Sequence, residues 1–151
     1  MQKLRNIEIR TACPDPPASH GNATPVLHEI LHALKRLQQQ GQTTTIDLLA
    51  MPFGPGDEDQ LRLTLGRGEV MARLDALGRS EIWETGFPGV WILEHDNSAG
   101  ERIAWQVEIT HIPAILQTPV EDLAESIDRL RGQLEAPAIT TGSTDPGGCD
   151  G

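Results

Sequence analysis

A chain of 151 residues with 22 acidic and 12 basic side chains carries a net charge of −10, which argues against nucleic acid and anionic membrane surfaces as partners. The length suits one domain with its own core, and with 3% aromatic residues and no Tyr that core must be filled by Leu, Ile and Val. No apolar run approaches the ~20 residues of a membrane helix, and MQKLRNIEIR lacks the apolar region of a signal peptide, so the chain reads as cytoplasmic with no stable membrane insertion.

Leu4 to Ile9 alternates briefly, and CPDPPASHG then forbids regular structure through Pro14, Pro16 and Pro17. Residues 1–21 are therefore expected to form a flexible arm. Thr24 to Gln40 reads as a helix with Thr24 as N-cap and Pro25 at its first position. Val26, Leu27, Ile30, Leu31, Leu34 and Leu37 form its apolar stripe, and Gly41 ends it. TTTIDLLAM, Thr43 to Met51, is β-branched and strand-like until Pro52. Asp57 to Leu65 is a short helix with acids in its first turn, closed by Gly66 and Gly68.

Strands follow. Val70, Ala72 and Leu74 alternate with Met71, Arg73 and Asp75; Ile82–Phe87 and Val90–His95 come next; Asp96 to Gly100 is a hairpin loop. Ile103, Trp105, Val107 and Ile109 mark a half-buried strand. Thr118-Pro119-Val120-Glu121 opens a last helix with a capping-box pattern, and Val120, Leu123, Ile127, Leu130 and Leu134 mark the face expected to be buried. The tail at 137–151 has few apolar residues and is expected to be disordered. The folded part is thus 22–136. Its element order predicts an α+β fold: an antiparallel sheet of about four to five strands, with two long helices and one short helix packed mainly on one face.

Gly86-Phe87-Pro88-Gly89 interrupts strand-like sequence with two Gly and a Pro, so it reads as a bend or bulge. Trp83, Phe87 and Trp91 flank it. An aromatic bend suits either a partner surface or a simple corner, and Trp91, alternating with Val90 and Ile92, is equally placed to enter the core.

His28-Glu29-Ile30-Leu31-His32 matches the H-E-x-x-H pattern of zinc hydrolases. On a helix the two imidazoles share one side, and Glu29 would serve as general base toward a zinc-bound water. The third ligand is missing from the extended form, where Gln38 stands, so His95 or His111 would have to supply it through the fold. The alternative is two surface histidines, with no metal and no cofactor. Cys13 and Cys149 lie in Pro/Gly-rich flanks outside any CxxC pair, so free thiols are expected. Gly66-Arg67-Gly68 lacks the Lys-Ser/Thr of a phosphate loop. Asp57-Glu58-Asp59 lacks calcium-loop spacing and suits a helix first turn. Glu81, Glu84, Glu94, Glu101 and Glu108 fall at strand positions that ordinarily face solvent, and no acid–base pair stands out among them.

Five blocks in order, LHEILHAL (Leu27–Leu34), TTIDLLAMP (Thr44–Pro52), LGRGEV (Leu65–Val70), ETGFPGVW (Glu84–Trp91) and EIT-x-IP (Glu108–Pro113), resemble the C-terminal domain of the HupH/HyaF hydrogenase expression proteins, with the related HoxQ and HoxT. The match runs from about Asn22 to about Leu134, so the chain resembles a single-domain member. The resemblance implies no catalysis. It implies a role in maturing nickel–iron uptake hydrogenase as a chaperone of the iron–sulfur small-subunit precursor before twin-arginine export, or as a scaffold for other maturation proteins. It also implies an ETRFPGVW form, so Gly86 stands where many relatives carry Arg. On this basis Glu84, Phe87, Pro88, Gly89 and Trp91 are the expected partner-binding residues, with the precursor's leader or an adjoining segment as partner.

Overall fold

The computed structural model describes residues 20–75 and 78–136. The Leu4–Ile9 piece, the proline-rich arm, Cys13, Cys149 and the 137–151 tail lie outside the described residues. The elements are α1 (Ala23–Gln40), β1 (Thr44–Asp47), α2 (Pro55–Leu65), β2 (Met71–Asp75), β3 (Arg79–Glu84), β4 (Val90–Asp96), β5 (Arg102–Ile109), a 3-10 turn (Ala114–Leu116) and α3 (Val120–Glu135). The five strands form one antiparallel sheet in the order β1-β5-β4-β3-β2, as the α+β reading expects.

Register decides which side chains share a face. Trp83 sits opposite Ile92, Ile92 opposite Val107, and Val107 opposite Ile46. These residues, with Val90, Trp105 and Ile109, form one buried cluster with Val26, Ile30, Ala33 and Leu37 of α1 and Leu61 and Leu65 of α2. So α1 and α2 cover this face of the sheet, each through one apolar stripe. Ile82, Trp91 and Leu93 point to the other face and are buried there.

α1 begins two residues earlier than the Thr24 cap predicts. Asn22 is its N-cap residue, and its side chain donates to Pro52 O at 2.7 Å instead of capping the helix. Pro25 still falls in the first turn, where its missing N–H is no loss. Gly41 closes the helix in the left-handed conformation (φ 68°), donating to Leu37 O at 2.9 Å.

α2 begins at Pro55 rather than Asp57. Asp57, read from sequence as a first-turn surface acid, is fully buried. Its carboxylate accepts the backbone N–H of His20 (2.8 Å), Gly21 (3.0 Å), Asn22 (3.1 Å) and Gly54 (3.1 Å). One side chain thereby fastens the entry to α1 onto the start of α2. A buried charge is tolerable only with such partners.

The other end of α2 is fixed through glycine. Gly66 leaves the helix at φ 63°, ψ −161°, a conformation open essentially to Gly. Gly68 then approaches β3 so closely that an added Cβ would lie 2.5 Å from Thr85 O and 3.1 Å from Glu84 O. Its own N–H donates to Glu84 O at 2.8 Å.

The described residues fall into two compact units, divided between Ala114 and Ile115. α3 belongs to the second and has no buried residue. Val120, Leu123, Ile127, Leu130 and Leu134, expected to be buried, are all at least 50% exposed. Their spacing makes α3 amphipathic, but amphipathicity does not supply a covering surface. Within the first unit, α1 and α2 are the helices that cover the sheet face.

Glu94 is a second correction, to the expectation of solvent-facing strand carboxylates. It lies on the helix-covered face and is bound by Arg62 of α2. Glu108, opposite Trp91, is partly desolvated, which raises its pKa above the ordinary Glu value against an opposing effect of His95.

Three outcomes are expected. Asp57→Ala should lower the urea-unfolding free energy by about 3 kcal/mol, because four backbone N–H groups, one buried and three partly buried, lose a charged acceptor; Asp57→Asn should fall between it and the parent. Gly68→Ala should cost about 1–3 kcal/mol by forcing a methyl group against β3 backbone. For Glu108 the raised native pKa means that the native state holds a proton the unfolded chain has released. Stability therefore falls as pH rises from the ordinary Glu range through the native pKa, and Glu108→Gln should flatten that slope in urea midpoints taken from about pH 4 to about pH 7.

Candidate functional site

The bend between β3 and β4 is held from three directions. From α2, Leu65 O accepts Gly86 N–H at 2.8 Å, beside the Gly68 contact. From the end of β5, Thr110 donates its N–H to Gly89 O at 2.9 Å, and Thr110 O accepts the Trp91 indole N–H at 3.1 Å. Within the bend, Thr85 Oγ1 accepts Phe87 N–H at 3.1 Å and Glu84 Oε1 accepts Gly89 N–H at 3.0 Å. Gly89 takes φ 83°, and a Cβ there would lie 3.7 Å from Leu37 Cδ2 and 3.9 Å from Leu34 Cδ2, so the turn sits directly against α1.

These constraints push Phe87 outward. It is 47% exposed, an unusual state for the largest apolar side chain of the bend. Its ring borders an apolar cavity of about 220 Å3 lined by Leu27, Ile30, Leu31, Leu34, Thr64 and Leu65. A second cavity of about 390 Å3 continues along α1 from Leu34 to Leu37 and Gln38, and is closed by Glu84, Pro88, Gly89 and His111. The two share Leu34, giving a groove that is apolar at one end and carries a carboxylate at the other.

Of the five residues expected at a partner surface, Phe87, Pro88, Gly89 and Glu84 line this groove. Trp91 does not. It is 5% exposed, points to the opposite sheet face and spends its N–H on Thr110, so it braces the bend from behind. Sequence reasoning missed Leu27, Leu31 and Leu34 as groove residues. They belonged to the same stripe as the core positions of α1, and only Leu31, 47% exposed, departs clearly from that core.

The H-E-x-x-H residues do not build a metal centre. His28 and His32 are exposed, and Glu29 is paired with Arg36 at 2.9 Å. Among the described residues no three His, Cys, Asp or Glu side chains gather as a metal would require. The motif's intervening residues matter more here: Ile30 enters the core and Leu31 faces the groove.

In a second aromatic region Arg62 and Arg102 are paired with carboxylates, while the buried Trp105 indole N–H has no hydrogen-bond partner among the described residues. Arg62 lies over Trp83 and Trp105 at 5.8 and 5.7 Å and binds Glu58 (2.8 Å) and Glu94. Burial alone would lower the Arg62 pKa, yet these two carboxylates raise it above the usual value. Arg102 stacks on Trp105 at 5.0 Å and binds Glu58 at 3.1 Å, and Arg67 covers Trp83 at 4.8 Å. These guanidinium groups roof the Trp end of the core, which is the sufficient reason for their presence.

Four of the five blocks that carry the family resemblance meet at the groove: LHEILHAL lines it, LGRGEV and EIT-x-IP clamp the bend, and ETGFPGVW forms it. Comparison with known proteins agrees. The family described as "HupH hydrogenase expression protein, C-terminal conserved region" matches residues 21–137. The chain is 36% identical over 117 residues to the hydrogenase expression/formation protein HoxQ of Azotobacter vinelandii, covering 76% of this chain and 41% of that protein. It is 30% identical over 117 residues to the hydrogenase-1 operon protein HyaF of Escherichia coli (strain K12), covering 76% of this chain and 40% of that one. The chain thus spans about two fifths of the length of these curated relatives. The solved structure of the hydrogenase expression protein HupH from Thiobacillus denitrificans ATCC 25259 matches with a TM-score of 0.74 and 39% identity, covering 78% of this chain and 98% of that chain. By profile, sequence and fold together, the chain belongs to the HupH hydrogenase expression protein family, of which it carries the C-terminal conserved region.

Proposed function

We propose that this domain is an accessory protein in nickel–iron uptake hydrogenase maturation, and that it chaperones the iron–sulfur small-subunit precursor before twin-arginine export. The observation that carries the reading is the exposed Phe87 above an apolar groove with Glu84 at one end. A twin-arginine leader offers the matching features, a moderately apolar stretch beside a basic end. Contact area comes from the groove, while Glu84 and the net charge of −10 favour the basic partner. The printed names of the relatives, hydrogenase expression and formation proteins, support the hydrogenase setting.

The double variant Phe87→Ala, Leu31→Ala removes two exposed side chains and should leave the fold intact, since neither belongs to the buried cluster. Co-purification with the tagged precursor should fall at least about tenfold, a loss of ~1.4 kcal/mol or more. Undiminished capture by a normally folded variant would sink this site. Undiminished capture of a precursor lacking its leader would reassign the partner segment to the mature subunit.

A further inference from the structure

Every backbone N–H of the bend is already bonded within the protein. Glu84 N–H goes to Val70 O (2.9 Å), Thr85 N–H to Val90 O (2.9 Å), Gly86 N–H to Leu65 O (2.8 Å) and Val90 N–H to Phe87 O (3.0 Å). Phe87 and Gly89 donate to the side chains of Thr85 and Glu84, and Pro88 has no N–H. The other walls are helices, whose backbone groups bond along their own axes. The apolar cavity therefore presents mainly apolar side chains to a ligand, Leu27, Ile30, Leu31, Leu34, Leu65 and Phe87, with Thr64, whose hydroxyl donates to Gln60 O at 2.8 Å.

Such a surface discriminates between two ways of holding a peptide. An added strand gains affinity from main-chain hydrogen bonds to an open edge, and this groove offers no N–H for them. An extended segment pressed into it would turn N–H and C=O groups onto methyl groups, at about 1–3 kcal/mol for each one desolvated and unpaired. A helix arrives with those groups already bonded and needs only an apolar stripe. We propose that the groove takes its partner segment as an α-helix, with apolar side chains at i, i+3 or i+4, and i+7 lying on Leu27, Leu31, Leu34 and Phe87. Leu27 to Leu34 spans about 10 Å, so two to three turns of partner helix fill the apolar part. The polarity of the groove sets the polarity of the ligand. Glu84 lies beyond Leu34, beside Leu37 and Gln38 in the last turns of α1, where the helix end is itself partially negative. Lys35 and Arg36 are not among the lining residues there, and His111 and Gln38 are. The basic end of the bound helix accordingly lies over Glu84. This inference rests on the reading that the precursor's leader region is the partner.

The test uses the full chain and a synthetic peptide of the precursor's twin-arginine leader, carbon-13 labelled through its apolar stretch. On titration the labelled Cα resonances should move in the helical direction. A version constrained by an i,i+4 lactam bridge should bind about tenfold tighter, because the ordering cost is met in advance. Glu84→Gln, which keeps an acceptor for the Gly89 N–H, should weaken the leader severalfold and leave a peptide with its arginines replaced by glutamine unaffected. Leader binding with extended-type shifts, and a bridged peptide that binds more weakly, would overturn the helical mode and leave leader recognition standing. Absence of binding by either peptide would overturn both.

Discussion

The arrangement depends on one buried carboxylate. Asp57 gathers four backbone donors from two separate segments, the entry to α1 and the start of α2. Without it those partly buried N–H groups would lose their acceptor, and the two helices would lose the link that fixes their relative start. α2 then acts as a strut. Its first turn is tied to α1 through Asp57, and its last residue is tied to the β3–β4 bend through Leu65 O and the Gly68 approach. The groove has one wall on α1, one on α2 and one on the bend, so its width is set by how α2 is held at both ends.

The same geometry explains why the aromatic side chains have different fates. Trp83 and Trp105 point toward the helices and are roofed by arginines whose charges are matched by Glu58 and Glu94. Trp91 points the other way and is fixed by Thr110. Phe87 follows Gly86 in a turn whose backbone N–H groups are all bonded within the protein, and no register contact draws it inward. It is left as an aromatic ring at the edge of an apolar cavity. A tightly bonded turn that nevertheless exposes a ring is a rigid platform, and rigidity lowers the ordering cost of any contact it makes.

Much of this was legible in the sequence, and the failures have physical causes. Period-two alternation in Ile103 to Ile109 and the three- and four-residue steps of α1 report which residues share a face, and a strand or helix follows directly. Val120 to Leu134 carries the same kind of helical signal, yet every member is exposed. Periodicity names a face without naming what covers it, so α1 and α3 look alike in sequence and differ in structure. Asp57 was hidden for another reason. A first-turn acid already has a sufficient local role, and its bonds to residues 20–22 reach across more than thirty positions. Trp91 could be placed on either side of the sheet until register with Glu108 fixed it. Leu31 was legible as helix and as apolar, but its exposure follows only from where Phe87 stops.

Gly86 shows how the groove's chemistry is tuned at one position. The resemblance implies Arg there, and the backbone does not compel Gly, since among the positive-φ glycines it is absent. An added Cβ would lie 3.1 Å from Leu65 O, a contact that a shift of a few tenths of an ångström relieves. The glycine therefore reflects the surface more than the fold. A guanidinium two residues from Glu84 would offset the one carboxylate that closes the groove. Its absence leaves that carboxylate's charge available, while the Gly89 N–H still fixes where the carboxylate points. On the proposed reading, the polar end of the groove is the acceptor for the partner's cations, and the apolar end carries the area.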